Sequence, residues 1–256
     1  MDTEDNAREV RIFRKFSISI LSFFGVACLI GAIVCVVLGQ YPTALVALCC
    51  AIFWGAAMWA WIAVPSAVAW ATCDSAGTTI RMDRRVERRM LLCIGSGATG
   101  LTAFGVLGAL DKLAIPIPVG VARFYALTFG TVGVLCLISL FVTLRRPGLA
   151  NVRLTPEGFR FSEALATKAG NWSDVIDITN DAPANTRTVC PVTATMRTGK
   201  PKVFKNATPF APDGRVLLEF VRFYWQQPEY RVELTDDSAL QRLRTMQQND
   251  QHPRSA

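Results

Sequence analysis

Residues 81–100 read RMDRRVERRMLLCIGSGATG, and two readings compete for this stretch. Its last six residues match G-x-G-x-x-G, the spacing with which a Rossmann turn approaches a pyrophosphate. That turn needs a strand before it and a βαβ unit after it, with an acidic residue about 20 positions on. Here a run of ten residues with five arginines leads directly into the glycines, and no such unit follows. The context contradicts nucleotide binding. It fits a basic connector running into a membrane span, and the rest of the chain follows from that reading.

The chain has 256 residues, of which 51% are hydrophobic and 18% charged. An average soluble domain carries about 25% charged residues, and mean hydropathy here is +0.30. Apolar runs lie at 16–39, 42–64, 91–110 and 122–144. A helix needs about 20 residues to cross the hydrocarbon core, so four spans are predicted. The first run carries no charge. It exceeds the apolar region of a signal peptide, about 7–15 residues, and Gln40-Tyr41-Pro42 leads straight into the next run. Pro42 suits a first helical turn, where its missing N–H is no loss. The second span ends near 64 or continues past a kink at Pro65 to Trp70.

The flanks set the orientation. Arg8, Arg11, Arg14 and Lys15 precede the first span, five arginines from Arg81 to Arg89 separate the second from the third, and Arg145 and Arg146 follow the fourth. The other two connectors hold only Lys112 and Arg123. With four spans, every cluster falls on one side. Cationic connectors stay in the cytoplasm, so residues 1–15 form a cytoplasmic basic tail and both termini are cytoplasmic in a multi-pass cell-membrane protein. The net charge of +7 is then loop bias, not a nucleic-acid footprint.

Within the spans, small residues recur at helical spacing. Span three places Gly97, Gly100, Gly105 and Gly108 on one face. Span one has Ser22, Gly25, Cys28, Ala32 and Cys35, span two Ala44, Ala47, Ala51 and Gly55, and span four Ala126, Gly130 and Gly133. Lipid tails give helices no hydrophobic reason to associate, so close packing at small residues must supply it. These positions are the predicted helix-packing seams. Trp54, Trp59, Trp61 and Trp70 cluster in and after span two, where indoles anchor at the interface.

Absences narrow the function. No Asp, Glu, Lys, Arg or His stands mid-span, although ion and proton pathways ordinarily use such groups. The one histidine, His252, lies in the tail, which argues against Ser-His-Asp catalysis and most zinc sites. The eight cysteines contain no C-x-x-C and read as structural thiols. No catalytic, cofactor or metal site is predicted. Arg81, Arg84, Arg85, Arg88 and Arg89 are candidate contacts to anionic lipid, each contributing about 1 kcal/mol near an anionic leaflet.

Residues 145–150 form a linker, and a soluble domain is predicted over 151–246. NVRLTPEGFRFSE, from Asn151, gives a hairpin turning at Thr155–Gly158. Further strands are expected from about Trp172, from Val189 and over 202–206. Asp213 is expected to cap a helix reaching about Gln227, with Val216, Leu217, Phe220, Val221 and Tyr224 on its apolar face. A second short helix is expected over 236–246, and residues 247–256 as a disordered tail. Strands followed by one amphipathic helix suggest a small barrel or curved sheet closed by that helix.

The run LTPEG-F-R-F, then N-W-S-D-V-x-D-I, then the helix ending FYWQQPEYRVEL resembles bacterial PH-like domains attached to membrane spans in actinobacterial-type proteins. The resemblance covers roughly the last hundred residues. It implies an α+β barrel capped by its C-terminal helix, with Trp172, Ser173 and Asp174 opening a strand and Trp172, Phe220 and Tyr224 in the core. Inositide-binding PH domains carry Lys and Arg in the first hairpin loop. The TPEG turn carries Glu157 and no basic residue, which argues against that ligand.

The expected architecture is an α-helical four-span membrane bundle plus a PH-like domain. The expected function is a non-enzymatic scaffold or adaptor that recruits an unknown protein partner at the inner membrane face, with homo-oligomerisation in keeping with the seams. The alternative is a transporter or transport accessory working through Ser19, Ser22, Thr99 and Thr102.

Overall fold

The computed structural model describes residues 2–114, 119–145, 148–163, 166–181, 190–211 and 214–251, with the side chains of 2–15, 119, 120, 122, 123 and 251 left aside. Expectations for Asp213, Val189 and His252 fall outside the described residues, as do those for the side chains of the N-terminal basic cluster. The chain divides into two compact units. One comprises Met1–Ile62 and Arg88–Val142, the other Ala63–Glu87 and Thr143–Ala256.

The first unit holds helices α1 (Asp2–Val37), α2 (Tyr41–Ala63), most of α3 (Arg84–Ala109) and most of α4 (Val119–Leu144). All four are long and apolar enough to cross a membrane. Their ends follow local chemistry. After α1, Gly39 takes φ +71°, Gln40 N–H bonds the Cys35 carbonyl and Gly39 N–H bonds that of Val36. This is the paired 6→1 and 5→2 closure of a Schellman turn. Asp111, φ +52°, closes α3 the same way through Lys112 N–H to the Leu107 carbonyl. At Pro65, α2 does not kink and continue. It gives way to a 3-10 turn, Val64–Ser66, and Trp70 opens a strand.

Small residues bring the helices close. A Cβ placed on Gly97 would lie 2.8 Å from the Phe53 ring, and one on Gly100 would lie 2.9 Å from the Cys49 Cβ. On α4, Gly133 faces the Thr102 backbone at 2.5 Å, and Gly130 faces Gly105 at 3.1 Å. Gly108 meets the Ala126 Cβ at 3.0 Å. Gly25 has ordinary contact with Trp54, Ala32 is buried and Cys28 half-buried.

The second unit differs from the sequence expectation in where its chain comes from. The connector between α2 and α3 is a β-hairpin, β1 (Trp70–Asp74) and β2 (Gly77–Arg81). It pairs antiparallel with β3 (Ala150–Leu154), which pairs with β4 (Gly158–Glu163) and then β5 (Ala166–Asn171). A second antiparallel sheet holds β6 (Val175–Thr179), β7 (Val192–Met196) and β8 (Lys202–Phe204). Helix α5 (Arg215–Gln226), a 3-10 segment (Pro228–Thr235) and α6 (Ser238–Gln251) complete it. Two details depart from expectation. Trp172–Asp174 form a 3-10 turn, not a strand opening, and β6 begins at Val175. Helix α6 continues to Gln251, through the first part of the predicted tail.

The core explains the arrangement. Ile80 of β2, Val152 and Leu154 of β3, and Phe161 of β4 are fully buried on one face of the five-stranded sheet. Phe161 meets Phe204 of β8 with ring centroids 5.7 Å apart, so the two sheets share that core. Helix α5 inserts the residues its pattern predicts, Val216, Leu217, Phe220, Val221 and Tyr224, all buried. Trp172 is buried against Phe159 and its indole N–H donates to the Thr155 carbonyl at 2.8 Å.

Candidate functional site

The outer face of the five-stranded sheet carries the densest chemistry in the second unit. Alternation puts every second residue of each strand on it. Strand register then forms two rows across the sheet. One row runs Thr72, Thr79, Arg153, Arg160, Ala169, and the other runs Trp70, Arg81, Asn151, Ser162, Thr167. All of these but Trp70 and Ala169 line a depression of about 390 Å³ that also takes in Asp74 and Glu163.

The charges are unevenly matched. Arg153 donates to both oxygens of Asp74, at 2.7 and 2.8 Å. The Ala76 N–H also donates to Asp74, at 2.9 Å. That backbone bond first, and Arg153 after it, hold the Asp74 carboxyl below its usual range. Glu163 accepts from the Lys205 N–H at 2.5 Å and lies 3.7 Å from the Lys168 ammonium. Both acids are therefore engaged. Arg160 stands directly opposite Arg153 in the ladder and has no acidic partner among the described residues.

Arg81 and Trp70, paired across β1 and β2, share a second feature. Arg81 Nε and Trp70 Nε1 are both buried and neither reaches an acceptor among the described residues. The Trp70 ring lies 4.9 Å from the Arg81 guanidinium and 4.0 Å from that of Arg84.

No family model, curated protein or solved structure matches the chain. The roles of the residues therefore rest on their geometry.

That geometry divides the five connector arginines predicted to act together. Arg81 and Arg84 lie against Trp70 in the sheet-bearing unit. Arg89, in the helical unit, stacks over Trp59 at 4.3 Å and donates to its carbonyl at 2.9 Å. Arg85 and Arg88 are exposed and carry no ion pair among the described residues. The interleaved acids have structural roles. Asp83 accepts from the Arg85 N–H at 2.6 Å, the side-chain bond of a helix N-cap. Glu87 accepts from the Leu149 N–H at 2.9 Å.

The uncharged polar groups of the spans are not gathered around one cavity. Ser22 donates to the Ile18 carbonyl and lies 2.9 Å from the Met58 sulfur, and Thr102 donates to the Ala98 carbonyl. Two pockets of the helical unit, about 340 and 590 Å³, are lined mainly by apolar groups, including Phe53, Trp54 and Phe104 in the first and Val106, Leu127 and Leu135 in the second. Among the described residues no three His, Cys, Asp or Glu side chains converge as a metal site.

Sequence reading missed Arg153 and Arg160 as a pair, and the part played by the Trp70–Arg81 hairpin. The alternation T-x-D in β1 was visible, as were two arginines, Arg153 and Arg160, flanking the β3–β4 turn. The pairing of β2 with β3 across the intervening helices was not.

Proposed function

We propose that the chain is an integral membrane scaffold or adaptor whose PH-like domain is displayed at the cytoplasmic face and recruits a protein partner. The observation that carries this reading is the discontinuous sheet. The chain passes between helical and sheet-bearing units three times, near residues 62, 87 and 142. Three covalent connections join the units where a simply tethered domain would have one. Such an anchoring suits a platform better than a freely tethered domain.

Other features agree with it. Two antiparallel sheets followed by a helix that fills their core support a PH-like reading, in which the β1–β2 hairpin would be an addition. The arginine asymmetry supports a cytoplasmic location for the sheet-bearing unit. Exposed Arg85 and Arg88 lie on the same connector and suit anionic headgroups. Ile176, Tyr230 and Val232 are exposed, large apolar side chains on the sheet-bearing unit and are the positions from which contact with a partner is best sought.

Photocrosslinking in intact cells tests the proposal. A photoreactive residue at Ile176 or Val232 should give one discrete adduct, absent when the residue is placed at exposed Lys200. An adduct of twice the chain mass would identify the partner as a second copy. Uniform or absent crosslinking at all three positions would refute recruitment through this surface.

A further inference from the structure

We infer that the depression on the outer face of the five-stranded sheet is a binding site for a phosphoryl group borne on a small polar head. Three observations converge on it. Arg153 and Arg160 are directly opposed across β3 and β4, and like charges in that position destabilise a sheet unless something neutralises them. Asp74 neutralises one of the two, leaving Arg160 without an acid among the described residues. On the same sheet, Arg81 Nε and Trp70 Nε1 are buried donors with no acceptor among the described residues. Buried donors without acceptors are uncommon and costly. The opposed arginines call for an oxyanion, and Arg81, whose Nε is unpaired, lines the same depression.

The donor set selects the anion. A guanidinium presents N–H groups in a planar fork that matches phosphate oxygens. Two such forks, from Arg81 and Arg160, line the depression along with the hydroxyls of Thr72, Thr79 and Ser162. Together these can satisfy several oxygens at once, more than a carboxylate presents. The depression, about 390 Å³, is larger than a bare phosphate, given that water occupies about 30 Å³ in the liquid. A glycerol-sized head fits beside the phosphoryl group. Such a group comes either from a phospholipid headgroup or from a soluble phosphate ester. Asp74 tunes the site, because it occupies Arg153 in the ligand-free protein.

This inference is independent of the scaffold reading. Binding measurements test the one and crosslinking the other, so either can fail alone.

The experiment uses the full chain in nanodiscs of phosphatidylcholine, titrated calorimetrically with sn-glycerol 3-phosphate. A parallel arm measures binding of short-chain phosphatidic acid to the same nanodiscs. Saturable binding of one ligand per chain is expected in at least one arm. Saturation by glycerol phosphate identifies a soluble ester as sufficient, and saturation by phosphatidic acid alone identifies the lipid. Arg160→Ala, an exposed position that leaves the core intact, should weaken binding about tenfold, and Arg81→Gln should do likewise. Asp74→Asn, which frees Arg153, should strengthen it severalfold. Arg244→Ala, on the exposed side of α6 and outside the depression, removes the same charge and should leave affinity unchanged. Absence of saturable binding in both arms overturns the inference. So does an equal loss from Arg160→Ala and Arg244→Ala, which would mean attraction by net charge alone.

Discussion

Thr78 and Leu234 lie 156 residues apart and are joined by a 2.7 Å hydrogen bond from the Thr78 hydroxyl to the Leu234 carbonyl. Both residues are fully buried. The bond ties the hairpin between α2 and α3 to the 3-10 segment near the C-terminus, and the Cys73 thiol reaches the same carbonyl at 3.3 Å. Two more bonds hold the hairpin segment to the C-terminal region: Ala69 N–H to the Phe210 carbonyl at 2.8 Å, and the Gln247 side chain to the Ala69 carbonyl at 2.9 Å. A folded C-terminal region thus depends on chain that precedes α3.

Thr78→Val keeps the shape and removes the donor. The Leu234 carbonyl is left with the weak thiol bond, so the variant should lose about 1–2 kcal/mol. Thermal unfolding of the purified protein should show a lower midpoint. Limited proteolysis should cut first after the 3-10 segment. An unchanged midpoint would mean that the hairpin is held by its ladder alone.

The helix seam makes a sharper demand. Gly133 has Thr102 backbone 2.5 Å from where a Cβ would stand, whereas Gly31 has nothing within 4 Å. Gly133→Ala must push α3 and α4 apart, at a cost of about 1–3 kcal/mol for overpacking. Gly31→Ala should be neutral or slightly stabilising, since alanine is the better helix former. Comparing the two midpoints in one detergent checks this. Equal behaviour would remove Gly133 from the packing seam.

What could be read from sequence follows from the range of each signal. The four helices were legible because an apolar run of span length is a local pattern, as were the α5 stripe and the TPEG hairpin. The fate of 70–81 was not. WATCD and GTTIR are too short to declare themselves strands, and their pairing partner β3 lies beyond two spans. Five arginines close by also drew the segment toward a purely topological role. Strand β5, ATKAGN, was missed for another reason: its burial is low along most of its length, so no apolar alternation marks it. Trp172 is buried, and its indole N–H bond to Thr155 belongs to a turn and not to a ladder.

Glu233 holds the C-terminal helix through charge. Arg242 of α6 donates to both its oxygens, at 2.9 and 2.8 Å, and Tyr224 donates to it at 3.3 Å. Burial, and then the neighbouring carboxylate, raise the Tyr224 phenol well above its usual range. A raised folded value contributes stability that is full below the unfolded value, about 10, and is lost as pH rises beyond it. Glu233→Gln removes the ion pair and should cost about 1–2 kcal/mol at neutral pH. The measurement is the unfolding midpoint. If Arg242→Ala and the double variant fall no further than Glu233→Gln, the pair acts as one unit.

Asp74 gives the opposite pH dependence. Its folded carboxyl is held below the ordinary 3.8, so its contribution is present above that value and lost as pH falls through the lowered one. Wild type and Asp74→Asn should therefore differ in midpoint at neutral pH and converge under acid. A difference that persists unchanged at the lowest accessible pH would place the effect in packing, not in the carboxylate.

Orientation is the claim on which the cytoplasmic platform depends, and charge supplies its mechanism. A connector with five arginines resists translocation, while one with only Lys112 and Arg123 does so far less. Lys112 and Lys200 are both exposed, and cysteines there report the two sides. In a background with Cys73 and Cys190 replaced by serine, a membrane-impermeant maleimide added to sealed cells should label Lys112→Cys. It should leave Lys200→Cys unmodified until the membrane is permeabilised. Neutralising Arg84, Arg85, Arg88 and Arg89 together should weaken the bias and yield a labelled fraction at Lys200→Cys. Labelling of Lys200→Cys in sealed cells carrying all the arginines would place the sheet-bearing unit outside, and recruitment of a cytoplasmic partner would then have no surface on which to occur.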